Sequence, residues 1–176
     1  MDELSRIGFS YIFPHRVAGM AEPWARHLAP TLDLLARRGV GAVLTLTEEA
    51  PLGVRYEQAG LLHGHVPMDD GEAPEPEAVD QALAFMDQAL ARGLGVAVHC
   101  LEGRGRTGVV LAAWLAGAEA ENLDFERVLA RLRAARPLTA INRSQKAFLE
   151  TYIRSRFPKG GLAGPFPSSL AAVPRP

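Results

Sequence analysis

The chain has 176 residues, enough for one domain with a substantial core. Its formal net charge is −1, which excludes the basic footprint of a nucleic-acid binder, and no apolar run approaches a membrane span. A single cysteine excludes an intrachain disulfide. With a polar, acidic start at Met1-Asp2-Glu3-Leu4, unlike a secretory signal, it sets the expectation of a reducing cytoplasmic setting.

Gly8-Phe9-Ser10-Tyr11-Ile12-Phe13 reads as a first strand. Pro23 opens a helical run with Leu28, Leu32, Leu34 and Leu35, ending before Gly39. Residues 41–46 are almost wholly apolar, as expected of a strand covered on both faces, and 61–66 read as another strand. Pro76 begins a helix in which Val79, Leu83, Met86 and Leu90 keep helical spacing. Gly93-Leu94-Gly95 breaks it, and Val96-Ala97-Val98 forms a strand that leads to the cysteine. Helices follow near 106–118, 124–135 and 143–156. In the second of these Phe125, Val128, Leu129 and Leu132 form one stripe, and Pro137 follows its end. The alternation of strands and helices predicts an α/β layer fold. Trp24 and Trp114 read as core anchors, and Arg131, Arg133 and Arg136 as a solvated helix face. Residues 158–176, rich in Pro, Gly, Ser and Ala without periodicity, read as a flexible tail after a single domain at 1–157.

The chemistry concentrates in residues 99–108, His-Cys-Leu-Glu-Gly-Arg-Gly-Arg-Thr-Gly. A loop that curls ahead of a helix turns its N–H groups inward and, with the helix dipole, makes an anion site. Gly103 and Gly105 remove the Cβ atoms that would obstruct such a curl. Arg106 can present a bidentate fork to two anion oxygens. Leu101, Glu102, Gly103, Arg104, Gly105 and Arg106 thus form a phosphate-sized cup with Cys100 at its floor. A thiol beside a helix N-terminus and an arginine favours the thiolate. Attack of that sulfur on phosphorus would give a phosphocysteine for water to hydrolyse. Thr107 can donate to the sulfur as it leaves, and His99 is expected to orient the loop through backbone hydrogen bonds rather than act as a base. The leaving oxygen needs a proton, and the acids nearest a strand's carboxyl end are Asp69 and Asp70, in a loop flanked by Gly and Pro.

The decapeptide resembles the protein tyrosine phosphatase signature, His-Cys-x5-Arg-Ser/Thr-Gly. Pro67, Asp70 and Pro74 fit the Pro-x-x-Asp-x-x-x-Pro acid loop of phosphatases with that signature, which implies Asp70 as general acid with Asp69 in reserve. Ile141 to Tyr152 resembles the Ser-Gln-x-x-Phe/Tyr segment of the superfamily, in which the glutamine helps place the hydrolytic water; Gln145 holds that position, and a plain surface role remains the alternative. Phe9-Ser10-Tyr11, Pro14 to Pro23 and Leu46-Thr47-Glu48 are similar to small atypical dual-specificity phosphatases of the VHZ type. The resemblance spans roughly residues 8–155. It implies a mostly parallel central sheet flanked by helices, no cofactor, no metal, and structural or cup-supporting roles for Arg16 and Glu48. His63 and His65 alternate on one strand face but lack a third ligand, so packing or hydrogen bonding near the acid loop is the better reading.

Few inserted loops point to a shallow cup, hence dual specificity or a modest tyrosine preference. Glu102 beside Arg104 disfavours a highly anionic headgroup. Phosphorylated protein or a small phosphoester is therefore the expected partner, ahead of phosphoinositides, inositol phosphates and RNA 5′-triphosphates. A non-catalytic phosphate-binding module is the reading from another class. No nucleic acid or membrane partner is expected, and a monomer is the default.

Overall fold

The computed structural model describes residues 2–118 and 124–157, so the tail expected at 158–176 lies outside the described residues. A central sheet contains β1 (Ser10–Phe13), β2 (Val17–Ala21), β3 (Val40–Thr45), β4 (Leu62–His65) and β5 (Gly95–Cys100). Their lateral order is β1-β2-β5-β3-β4. Only β1 is antiparallel to its neighbour; β2, β5, β3 and β4 all run one way. The helices are α1 (Glu3–Arg6), α2 (Leu28–Arg37), α3 (Gly53–Gln58), α4 (Pro76–Ala91), α5 (Arg106–Ala118), α6 (Phe125–Ala135) and α7 (Arg143–Arg156). This is the α/β fold expected, with a mostly parallel sheet between helical layers.

Strand alternation divides the core in two. Met20, Val43 and Ala97 face Leu4, Leu28, Leu35 and Tyr56, from α1, α2 and α3. Val17, Ala42, Leu44, Val96 and Val98 face the opposite layer, made by α4 to α7. Within that layer α5 is buried from Arg106 to Gly117. A helix enclosed on all sides must be apolar all round, as its sequence is. It packs against α4, α6 and α7. Trp114 lies wholly inside, its ring edge-on to Phe13 at 6.0 Å.

Three local expectations change. The helix assigned to Pro23 begins later: a 3-10 turn at Ala25–His27 precedes α2. Pro30 sits in the first turn of α2, where a missing N–H costs nothing, and is the proline that marks this start. Trp24 is not a core anchor; it is 54% exposed, with the Arg26 guanidinium 4.9 Å from its ring centroid. The strand β2 escaped the pattern reading because Ala18, Gly19 and Ala21 have little strand preference. Pairing with the buried edge of β5 overrides it.

Because four strands run parallel, their carboxyl ends share one edge of the sheet. Ala21 pairs with Cys100, and Thr45 pairs with both His99 and His65. The segments that follow β2, β3, β4 and β5 therefore emerge together, where open α/β sheets place their sites.

Candidate active site

Cys100 ends β5 and is 3% exposed. Residues 101–105 turn back over it before α5 starts at Arg106. Gly103 makes the turn possible. Its φ is +68°, and a Cβ there would lie 2.2 Å from the Met20 carbonyl oxygen on β2. The side chains of Leu101, Glu102 and Arg104 point to solvent. The amides of Glu102, Gly103, Arg104 and Gly105 donate no hydrogen bond among the described residues. Two buried donors at the helix start, Arg106 Nε and the Thr107 hydroxyl, are also without partners. Buried polar groups normally find partners, so this set is one that an oxyanion and a thiolate would complete.

Arg106 is held from the side opposite those free donors. Its Nη1 donates to Glu48 Oε2 at 2.8 Å and to the Met68 carbonyl at 2.8 Å. Its Nη2 lies 2.9 Å from Asp70 Oδ1. Burial acts to lower the guanidinium pKa. Glu48, the Cys100 charge and Asp70 outweigh it and hold it above the ordinary value. The Glu48 carboxyl is lowered, first by its own main-chain amide and then by Arg106. The expected supporting role for Glu48 thus has a geometry: it fixes Arg106 and accepts from the Asp70 amide at 3.1 Å. Arg16 lies at the amino end of β2, away from this edge.

The acid loop brings Asp70, not Asp69, to Arg106. Asp69 is exposed and makes no hydrogen bond or ion pair among the described residues. Gln145 is buried beside the cup: a Cβ on Gly105 would lie 3.2 Å from Gln145 Oε1. It is the N3 residue of a capping box with Asn142 at the start of α7, and its Nε2 donates to the Glu72 carbonyl at 3.2 Å. Its surface alternative therefore fails.

His99 is fully buried, with Nε2 2.9 Å from Thr45 Oγ1 and 3.3 Å from the Tyr56 hydroxyl. Burial pushes its pKa down to about 4, so it is a neutral imidazole at ordinary pH. Its Nδ1 approaches the Cys100 main chain without hydrogen-bond geometry. Its observed bonds run to Thr45 and Tyr56 instead of the backbone partners expected. His63 Nε2 lies 3.0 Å from Thr45 Oγ1, and His65 Nε2 donates to the Thr47 carbonyl at 2.8 Å. No group of three metal-ligating side chains occurs among the described residues.

Arg136 is the largest correction. It is 1% exposed rather than solvated. Its guanidinium donates to the Gly103 carbonyl from Nε at 3.3 Å and Nη2 at 2.8 Å. It also donates to the Gly19 carbonyl at 2.8 Å, to Ser10 Oγ at 2.7 Å, and to the Gly8 carbonyl. The signal was present: 128, 132 and 136 share one helix face, so Arg136 extends the apolar stripe. Arg136→Met leaves several buried carbonyls unpaired. It is expected to lower stability by roughly 3 kcal/mol, about 6–12 °C in Tm, read by thermal unfolding. An unchanged Tm would mean that these bonds contribute nothing net.

Residues 18–119 match the family described as Tc-R-P, polymorphic toxin system, DSP-PTPase phosphatase. Dual specificity protein phosphatase 12 of Rattus norvegicus is 32% identical over 123 residues, 68% of this chain and 35% of that protein. Tyrosine-protein phosphatase cdc-14 of Caenorhabditis elegans is 27% identical over 143 residues, 80% of this chain and 19% of that protein. The chain thus spans about a third or less of these curated relatives. Among solved structures, Tk-PTP in its active form superposes with TM-score 0.71 at 28% identity, covering 85% of this chain and 97% of that one. PTPMT1 in complex with PI(5)P shares the fold, with TM-score 0.73 at 22% identity over 84% of this chain and 96% of that one. By the extent of the matched region and the cup that lies within it, the chain belongs to the DSP-PTPase phosphatase family.

Proposed function

We propose that residues 1–157 form a protein tyrosine or dual-specificity phosphatase that hydrolyses phosphate monoesters through a phosphocysteine. The observation that carries this reading is the convergence of Cys100, the free amides of 102–105, and an Arg106 shared by Glu48 and Asp70. The phosphate oxygens take the amides and the Arg106 Nε–H. The Cys100 thiolate attacks phosphorus, the bond to the leaving oxygen breaks, and Asp70 gives that oxygen its proton. Water then attacks the phosphocysteine and returns a proton to Asp70, while the Thr107 hydroxyl donates to the departing sulfur. Gln145, against Gly105, stands where it can hold that water. His99, neutral and occupied, orients the strand end and takes no proton.

The rim favours phosphotyrosine. Exposed Leu101 gives the cup an apolar lip, and the Glu22 amide, donating to the Leu101 carbonyl at 3.1 Å, brings the segment leading to exposed Trp24 alongside it. Arg104 on the lip is matched by Glu102 at 3.9 Å, which lessens its pull on a polyanionic headgroup. No helix among the described residues is long and apolar enough to cross a membrane. A cytoplasmic monomer acting on phosphoproteins completes the reading.

The expected result is hydrolysis of para-nitrophenyl phosphate that is unaffected by EDTA and inhibited by vanadate. Ranked by kcat/KM, phosphotyrosine peptides should exceed phosphothreonine peptides, phosphoinositides and inositol phosphates. Phosphate binding without turnover at any pH would establish a binding module instead. A phosphoinositide at the top of the ranking would overturn the substrate assignment alone.

A further inference from the structure

Asn142 makes two attachments with one side chain. Its Oδ1 accepts from the Gln145 amide at 2.9 Å and from Ser144 Oγ at 2.8 Å, which caps α7. Its Nδ2 donates to the Gly71 carbonyl at 2.7 Å, across to the acid loop. Gly71 directly follows Asp70 and has φ +75°, a backbone state open to glycine, so its carbonyl direction is fixed by a tight turn. Beside it, Gln145 Nε2 reaches the Glu72 carbonyl. On the other side of Asp70, Glu48 takes the Asp70 amide.

Asp70 itself has little to hold it. Its side chain is 75% exposed, and among the described residues its one attachment is the ion pair with Arg106. A phosphate dianion in the cup competes for that guanidinium, so the attachment weakens when the acid is needed. The bonds from Asn142 and Gln145 end on backbone carbonyls, which substrate does not touch. We propose that Asn142 is a positioning residue for the general acid. Its amide clamps the Asp70–Gly71 turn to α7, so that the Asp70 carboxyl stays over the leaving oxygen after substrate has taken Arg106. This rests on Asp70 being the acid.

The test separates clamp from cap. Asn142→Asp and Asn142→Ser both keep a good N-cap oxygen and lose the Nδ2 donor. Each is assayed on phenyl phosphate, whose leaving oxygen needs a proton, and on a polyfluorinated aryl phosphate, whose leaving oxygen does not. Tm is recorded alongside. The expected result is a fall of about tenfold or more in kcat/KM for phenyl phosphate and less than about twofold for the fluorinated ester. Equal losses on both esters, or on neither, would overturn the proposal, as would loss of folding in both variants, because cap and clamp would then be inseparable. Asp70→Asn on the same pair of esters identifies the source of failure. If Asp70→Asn discriminates between the esters and the Asn142 variants do not, the clamp is wrong and the acid stands. If Asp70→Asn does not discriminate, the acid assignment falls and takes the clamp with it.

Discussion

Cys100→Ser is expected to abolish turnover while leaving phosphate binding intact. A serine hydroxyl needs a base to become a nucleophile, and in the attack step no group of the proposed mechanism is in the state to serve as one. The adjacent imidazole, His99, has its Nε2 engaged by Thr45 and Tyr56 and lies in the strand behind the cup. Glu48 pairs with Arg106, and Asp70, as the acid of this step, already carries the proton meant for the leaving oxygen. A thiol needs far less help, because an S–H bond ionises much more readily than an alcohol O–H. The groups that bind phosphate belong to residues other than 100: the amides of 102–105 and Arg106 Nε. The variant should therefore lose on the order of 10⁴-fold or more in kcat and keep its affinity for phosphate, read by titration calorimetry. Turnover above about one per cent of wild type would remove Cys100 from its role, given the scale of loss seen when a nucleophile is deleted.

Asp70→Asn should lower kcat/KM for phenyl phosphate by roughly 10²–10⁴-fold, while Asp69→Asn changes it little. Both carboxylates lie in the same short loop, so the difference is one of direction. Asp70 stands 2.9 Å from the guanidinium that would bind the phosphate, whereas Asp69 makes no bond among the described residues. A third carboxylate, Glu48, is equally close to Arg106 at 2.8 Å. It is tied differently: its carboxyl is held low by its own amide and Arg106, and its second oxygen takes the Asp70 amide, so it braces the arginine and the acid loop. Asparagine at 70 can still accept from Arg106, so the loop should keep its place and only the transferable proton disappears. Similar losses from both substitutions, or from neither, would refute the assignment.

The sequence made the centre of the site legible because its chemistry is local. Strand, cysteine, glycine turn, arginine and helix follow one another within a decapeptide, and the loop cannot form with other residues where Gly103 approaches β2. The helices α4, α6 and α7 were legible for the same reason, through caps and spacing that act over a few residues. What escaped was long-range. Arg136 looked solvated because charge outweighed its place on the apolar stripe, and its acceptors are scattered among Gly8, Ser10, Gly19 and Gly103. β2 escaped because small residues become a strand only once β5 is beside them. Asn142 caps α7 through Asn-x-x-Gln, a local pattern, but nothing nearby in the chain says that its other amide atom grips Gly71.

The Arg136 bonds also bear on when the protein becomes able to work. They join residue 136 to residue 8, a separation of 128 positions, and to the turn over Cys100. During synthesis the chain is made from its amino end, so the reactive cysteine leaves the ribosome before the side chain that anchors its loop. Such a distant contact is among the slowest kinds to close, since the intervening segment must be ordered first. The catalytic turn thus stays incomplete until residue 136 has been made, and a half-made chain carries the nucleophile without the frame that aims it.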